Sequence, residues 1–501
     1  MILLINPPIA KPCEPPAGIA RLAGALRGRK ITCTTLDASL EGLLFLLADP
    51  PAADDTWSRR ACRNLRHNLA ALRTPEPYGN FDRYSRAVTD INRVLTLAGA
   101  PRLSLSLVNY QDETLSPLKS NDLLQAAAQP ERNIFYPFFA ERITRLVETE
   151  QPAFVGISLN YLSQALPAFA MLGFVRQRFP GISTVLGGGL VTSWLSKPGW
   201  QNPFGGLADH LVAGPGEGPL LALLGANADS PCAAPDYSAL PLHDYLAPGI
   251  ILPYAASSGC YWNKCSFCPE KAEHNPYLPL PTTQVLHDIN RLTKEIRPSL
   301  LHLLDNAVSP GLLTALSENP PGVPWYGFAR VSPQLGNLDF CRQLRRSGCR
   351  MLKLGLESGD QGVLDAMDKG IDLPLVAGTL DALKAAGIAT YIYLLFGTPS
   401  ENLAAARRTL DFTVKHHEAI SFLNLAVFNM PVAGPDAAAL SVSDFYEGDL
   451  SLYSDFDHPL GWHRKEVRRF LDQEFKRHPA ISAILRRDPP LFTSNHAPFF
   501  Q

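Results

Sequence analysis

Short apolar runs alternate along the chain with longer segments whose apolar residues recur three and four positions apart. Ile2–Ile5 reads as a strand, Ala17–Arg27 as a helix and Ile31–Leu36 as a strand again. The pattern resumes with strand-like Ala153–Ser158, a helix around Ala165–Phe179, and strand-like runs at Ser183–Gly189 and Leu211–Gly214. Buried strands separated by helices predict a parallel sheet with helices on its faces. Residues 49–150 lose the period and read as an inserted, mostly helical region. Residues 226–250, with Pro231, Pro235, Pro241 and Pro248, read as a linker. A second series follows, with strands at Ile251–Ala256, Leu300–Leu304, Trp325–Val331, Met351–Leu356, Ala389–Phe396 and Phe422–Phe428. Helices are expected near Thr283–Ile296, Leu338–Ser347, Leu375–Ala386 and Leu403–His416. Such a series suits a partial barrel of parallel strands, whose site belongs at the strands' carboxyl ends. The Arg-rich, periodic segment Trp462–Arg487 is expected to be a solvated helix packed on the body.

Composition narrows the class. The 501 residues carry 45 Lys+Arg against 47 Asp+Glu, and this balance argues against a general nucleic-acid or anionic-membrane binder. A hydrophobic share of 46% suits a globular protein. No apolar run approaches the roughly 18 residues that span a bilayer. The start, Met1-Ile-Leu-Leu-Ile-Asn-Pro-Pro8, lacks a basic region and reads as a strand and not a signal peptide. A cytoplasmic protein is expected. The 44 prolines are spread between periodic segments, as ordered loops would place them.

Nine cysteines, an odd number without a secretion signal, do not suggest a disulfide framework. Six are scattered, whereas Cys260, Cys265 and Cys268 lie together after the first strand of the second series. Three thiols on one loop suit an iron–sulfur cluster or zinc. A four-iron cubane with three protein ligands keeps one iron open, which a chelating amino and carboxylate pair can occupy. A structural Cys3His zinc site with His274 is the competing reading.

In this order the motifs resemble the radical S-adenosylmethionine (radical SAM) superfamily over residues 251–430. After the cysteines come Leu303-Leu-Asp305-Asn306, Gly327-Phe-Ala-Arg330, Lys353-Leu-Gly-Leu-Glu357-Ser358-Gly359 and Phe396-Gly397-Thr-Pro399-Ser-Glu401, each where a strand stops. The resemblance implies that Cys260, Cys265 and Cys268 hold a 4Fe-4S cluster and that AdoMet binds nearby. Phe267 would lie against adenine, Glu357 and Ser358 would contact the ribose or amino group, and Arg330 would pair with the carboxylate. Asp305, Asn306 and Gly397 complete that expected site. The usual spacing is C-x3-C-x2-C; here the first gap holds four residues, Tyr261–Lys264.

The N-terminal motifs resemble the cobalamin-binding domain fused before many radical SAM enzymes. They are Leu3-Leu-Ile-Asn6-Pro7-Pro8, Pro15-Pro-Ala-Gly18, Val155-Gly-Ile-Ser158, Gly187-Gly188-Gly189 and Gly214-Pro-Gly216-Glu217-Gly218. The residues expected at cobalamin are Asn6, Pro7, Pro8, Ser158, Asn160, Tyr161, Gly187, Gly188, Gly189, Val191, Gly216 and Glu217. The Asp-x-His-x-x-Gly motif, whose His coordinates cobalt in many such domains, has no match after the first strand.

The fold expected is therefore α/β. A Rossmann-like, cobalamin-binding-like domain (1–225, with the insert 49–150) and a linker (226–250) precede a partial (β/α)6 TIM-type radical SAM barrel (251–433) and a C-terminal extension (434–501). The function the resemblance implies is a cobalamin-dependent radical SAM enzyme that methylates an unactivated carbon, fed electrons by a flavodoxin or ferredoxin. The alternatives are a radical SAM enzyme without cobalamin (cyclase, oxidase or methylthiotransferase) and a zinc-stabilised module. Methylthiotransferases use three further N-terminal cysteines, and Cys13, Cys33 and Cys62 are available, although Cys33 sits in an apolar run. The substrate is not legible: small molecule, lipid and peptide all remain open. Tyr161, Tyr326, Tyr391 and Tyr393 are candidate aromatics of the site.

Overall fold

The computed structural model describes residues 1–226, 233–490 and 496–500. Cys232, part of the expected linker and part of the C-terminal extension lie outside them. The chain forms two compact units, one dominated by Met1–Ile251 with Tyr446–Leu452, the other by Leu252–Phe445 with Tyr453–Pro489.

In the first unit, strands β1 (Ile2–Asn6), β2 (Cys33–Asp37), β3 (Phe154–Ser158), β4 (Ser183–Gly187) and β5 (His210–Leu211) form one sheet in the order β2-β1-β3-β4-β5. Neighbouring strands pair parallel throughout, with Ile5 facing Leu36 on one side and Ile157 on the other. Every residue of β1 is buried, as expected for a strand covered on both faces. Its neighbours β2 and β3 leave in opposite directions, so the topological switch point falls between β1 and β3. Residues between β2 and β3 are mostly helical: Thr56–Ala71 packs on Phe81–Gly99, and Asp55 caps the former by accepting from the Ser58 amide at 2.9 Å. A short hairpin, Leu103–Leu105 with Tyr110–Asp112, interrupts the helices.

Residues 233–250, expected as linker, pack on the first unit. The Tyr245 hydroxyl donates to Asp37 at 2.7 Å, and Tyr237, Leu240 and Tyr245 are buried. Their aromatic and aliphatic content outweighs the prolines that suggested an open spacer.

The second unit contains β6 (Ile251–Tyr254), β7 (Leu300–Leu303), β8 (Trp325–Ala329), β9 (Cys349–Glu357), β10 (Ala389–Phe396) and β11 (Phe422–Val427), side by side in chain order. Helices Thr282–Ile296, Pro310–Glu318, Leu338–Arg346, Leu373–Ala386 and Leu403–Lys415 connect them, giving a partial barrel of successive βα units. Its middle is polar as well as aromatic. Lys353 is 1% exposed, lies 3.3 Å from His302 Nε2 and faces the rings of Tyr326 and Phe328.

The tail is not one solvated helix. Arg464–Phe470 runs into a wider turn at Leu471–Phe475, and Pro479–Leu485 starts afresh with His478 capping it. Pro479 lacks the amide that a continuous helix would need, so the helix restarts there. Val467, Phe475 and Ile481 are fully buried, so the arginines flank an apolar face.

Candidate functional site

The cysteine loop leaves β6 through Ser257–Ser258 and returns through Leu278–Pro279, the two pairs forming a short antiparallel ladder at its base. Asp305, at the end of β7, pins that base: its carboxylate accepts from the Ala256 amide at 3.1 Å and the Ser257 hydroxyl at 2.5 Å. The loop is thus held at the carboxyl end of the sheet by the residue expected near a ligand. Asn306 beside it is exposed.

Within the loop, Cys265 is buried and Cys260 and Cys268 are half-buried, all as free thiols. Among the described residues no three His, Cys, Asp or Glu side chains converge as metal ligands, so neither the thiols alone nor a set with the exposed His274 forms a closed site. The donor set still fits a thiolate-bound cluster better than a neutral pocket. Arg330 Nη1 lies 4.0 Å from Cys265 Sγ, and Lys369 is a second cation acting on the same thiol. Burial raises the Cys265 pKa while these cations oppose the rise; burial pushes Cys268 up to about 11. Metal binding would release those protons.

Around the thiols stands a set of contacts that the sequence shows only in part. The Arg330 guanidinium lies 4.2 Å over the Trp262 ring and donates to the Lys369 carbonyl at 2.5 Å. Trp262 donates to the Asp368 carbonyl at 3.0 Å. Gly370 has φ 66 and presses against the Trp262 ring so closely that a Cβ would overlap it. Lys369 Nζ holds Glu357 Oε1 at 2.7 Å, and both side chains are almost buried. Trp262 and Lys369 were not among the expected site residues, because only the closure of residues 366–370 onto the cysteine loop brings them there. The tryptophan's place between two cysteines was the one available signal.

The other expected AdoMet residues divide. Phe267, with Ser266, Met367, Pro399 and Ser400, lines a cavity of about 260 Å³. Ser358 is fully buried; its hydroxyl sits 3.1 Å from Thr409 Oγ1 and accepts from the Asp360 amide, so the side chain braces the turn from within. Gly397, at φ 82, donates its amide to Glu401 Oε2 at 2.5 Å, and the Trp462 indole donates to the same oxygen at 2.9 Å. Glu401 Oε1 is buried without a hydrogen-bond partner among the described residues. Burial pushes the Glu401 carboxyl up to about 7, opposed by the Gly397 and Trp462 hydrogen bonds. His458, its pKa lowered chiefly by burial, donates from Nε2 to the Thr398 carbonyl at 2.9 Å.

In the first unit, the residues expected at cobalamin follow the carboxyl ends of the strands about the switch point. Asn6 donates to Asp37 at 2.8 Å, and Gln164 donates to Asn6 at 3.1 Å and to the Pro7 carbonyl at 2.8 Å. Pro8 follows in the same buried loop. Asn160 donates to Ser158 Oγ at 3.1 Å and accepts the Gly189 amide at 2.9 Å, linking the ends of β3 and β4. Gly187 ends β4; Gly188, at φ 108, lies so near the Leu159 carbonyl that no Cβ fits. Val191 is fully buried in the next helix and so packs inward. Gly216 precedes Glu217, which is ion-paired to Arg21. Tyr161 is 53% exposed beside exposed Leu162, just past the end of β3.

No protein-family model matches the chain, and no curated protein does. Solved structures do. The cobalamin-dependent S-adenosylmethionine radical enzyme OxsB, with aqua-cobalamin and S-adenosylmethionine bound, superposes with a TM-score of 0.60 at 12% identity, over 95% of this chain and 67% of that one. The radical S-adenosylmethionine methyltransferase TsrM from Kitasatospora setae, with cobalamin and a [4Fe-4S] cluster bound, gives 0.50 at 16% identity, over 88% and 77%. A second TsrM structure, with tryptophan and a SAM analogue, gives 0.50 at 15% identity, over 86% and 73%. The chain has the fold of these enzymes, a Rossmann-like domain joined to a partial barrel.

Proposed function

We propose that the protein is a cobalamin-dependent radical SAM enzyme that methylates an unactivated carbon. The observation that carries this reading is the loop of Cys260, Cys265 and Cys268, braced by Asp305 at the carboxyl end of a partial barrel and flanked by Arg330, Lys369 and Glu357. A cluster held by the three cysteines would supply an electron to AdoMet, and cobalamin would supply the methyl group. The chain's own residues orient and shield. Arg330, fixed by Trp262 and the Lys369 carbonyl, offers a rigid fork beside Cys265 for a carboxylate. Glu357 offers a carboxylate, held by Lys369, for a ribose or amino group. Phe267 offers a ring face inside its cavity for adenine.

The test is oxygen-free reconstitution with iron, sulfide and hydroxocobalamin, then incubation with AdoMet, a strong reductant and a substrate pool. The expected products are 5′-deoxyadenosine and S-adenosylhomocysteine; absence of both from iron-loaded protein sinks the proposal. One observation favours a second reading, a radical SAM enzyme without cobalamin: residues 6–16, 158–162 and 187–191 hold no histidine to ligate cobalt. The absorbance of the protein after mixing with hydroxocobalamin and desalting decides between the two.

A further inference from the structure

At the carboxyl ends of β10 and β11 lies a cavity of about 430 Å³, within the range of sites for small molecules. Phe428, Phe456 and Trp462 give it an apolar wall, and Gly397 joins it to the face that bears the cysteine loop. Its remaining lining is strongly cationic. Arg464, Lys465 and Arg468 face it, with Asp455 the one carboxylate on its wall among the described residues.

These cations differ from an ordinary solvated helix face. Arg464 is fixed: it donates to the Phe428 carbonyl at 3.2 Å and to Asn429 Oδ1 at 2.7 Å, and lies 4.7 Å over the Phe445 ring. Lys465 and Arg468, one turn apart on Arg464–Phe470, form no ion pair or side-chain hydrogen bond among the described residues. Glu466 lies between them in sequence on the same helix, and Asp472, one turn beyond, feels the Arg468 charge but makes its ion pair with Lys476 at 2.7 Å. Like charges spaced three and four residues apart on a helix repel, and an anion between them relieves that repulsion.

We infer that this cavity takes the oxyanion head, carboxylate or phosphate, of a small substrate whose apolar body lies against Phe428, Phe456 and Trp462. The inference rests on the enzyme reading above and names the substrate class for that site. The cavity shares no lining residue with the one against Phe267, no residue of the cysteine loop borders it, and of the expected AdoMet residues only Gly397 lines it, so it is a place for a second ligand beside AdoMet.

The test uses the full-length, reconstituted protein and three probes sharing one ring: phenyl phosphate, phenylacetate and the neutral benzyl alcohol. Calorimetric titration should find at least one anion bound roughly tenfold or more tightly than the alcohol. The double substitution Lys465→Glu, Arg468→Glu should weaken that anion by a similar factor and leave the alcohol unchanged. Tighter phenyl phosphate assigns a phosphate ester and tighter phenylacetate a carboxylic acid; either supports the inference. Equal binding of all three probes, or anion binding indifferent to the charge reversal, overturns it. Iron and acid-labile sulfide are counted on the same samples. Iron-free protein sinks the enzyme reading, whereas iron-loaded protein indifferent to the anions sinks only the substrate class.

Discussion

Glu401 is the residue whose environment departs furthest from what its neighbours in sequence suggest. It stands in a short turn after β10, yet it is fully buried, with one oxygen holding the Gly397 amide and the Trp462 indole and the other without a hydrogen-bond partner among the described residues. Burial outweighs the two donors, and its pKa rises from the ordinary 4.5 to about 7. The folded protein therefore keeps a proton that the unfolded chain releases. Stability should fall as pH rises from the unfolded pKa near 4.5 towards 7 and be level in this contribution above that. The gap corresponds to on the order of 3 kcal/mol. Glu401→Gln removes the titrating group but keeps an acceptor for both donors and adds a donor where Oε1 lacks a partner. Urea unfolding of both proteins at pH 5 and pH 8 should show a smaller loss of stability at pH 8 for the variant. Identical pH dependence in the two would refute the buried-proton account. The residues of the site were unevenly legible for a related reason. Glu357 and Arg330 could be picked out because the motifs set them where an apolar strand stops, within reach of a ligand, but the same rule also picked out Ser358 and Asp305. Their side chains are turned onto Thr409 and Ser257, and sequence carries no sign of which way a side chain turns.

At the level of elements, strands and helices were the most legible feature, because apolar runs end at residues that cannot extend them. Ala17–Arg27 and Ala389–Phe396 keep their expected bounds; the former follows Pro15-Pro16, and the latter ends at Gly397 in the left-handed region. What composition concealed was the loop joining two elements across space. Residues 366–370 have no periodic signal, yet they carry Lys369 to Glu357 and the Asp368 carbonyl to Trp262. Gly370 makes that closure possible: its φ of 66 favours glycine, and the indole occupies the space of a side chain. Gly370→Ala should lift the segment off Trp262, freeing the Arg330 fork and the Glu357 carboxylate together. Since the strands are untouched, the expected result is near-native far-ultraviolet dichroism and near-native iron loading, with AdoMet bound about tenfold or more weakly. Equilibrium dialysis with labelled AdoMet measures it. Unchanged affinity would mean that the closure over the loop is incidental to the site.

For the whole molecule, two parallel sheets with different strand orders place two candidate sites by one rule, at the carboxyl ends of the strands. In the first unit the order β2-β1-β3-β4-β5 puts the crevice between β1 and β3, where Asn6, Ser158 and Asn160 gather and Tyr161 is exposed. In the second, strands in chain order gather the cysteine loop, Arg330, Glu357 and Gly397 on one rim. Each unit has its own core, so the two candidate cofactor sites should fail independently. Replacing Cys260, Cys265 and Cys268 together by alanine should remove iron and sulfide yet leave stoichiometric retention of hydroxocobalamin. Tyr161→Glu, which sets a charge beside exposed Leu162 just past the end of β3, should weaken cobalamin retention several-fold while iron stays at the wild-type level. Absorbance and metal analysis of desalted samples read both losses. The decisive comparison is the Tyr161 variant. If it retains cobalamin as wild type does, the crevice between β1 and β3 is not the corrin site, and if it loses iron as well, the two units do not hold their cofactors separately.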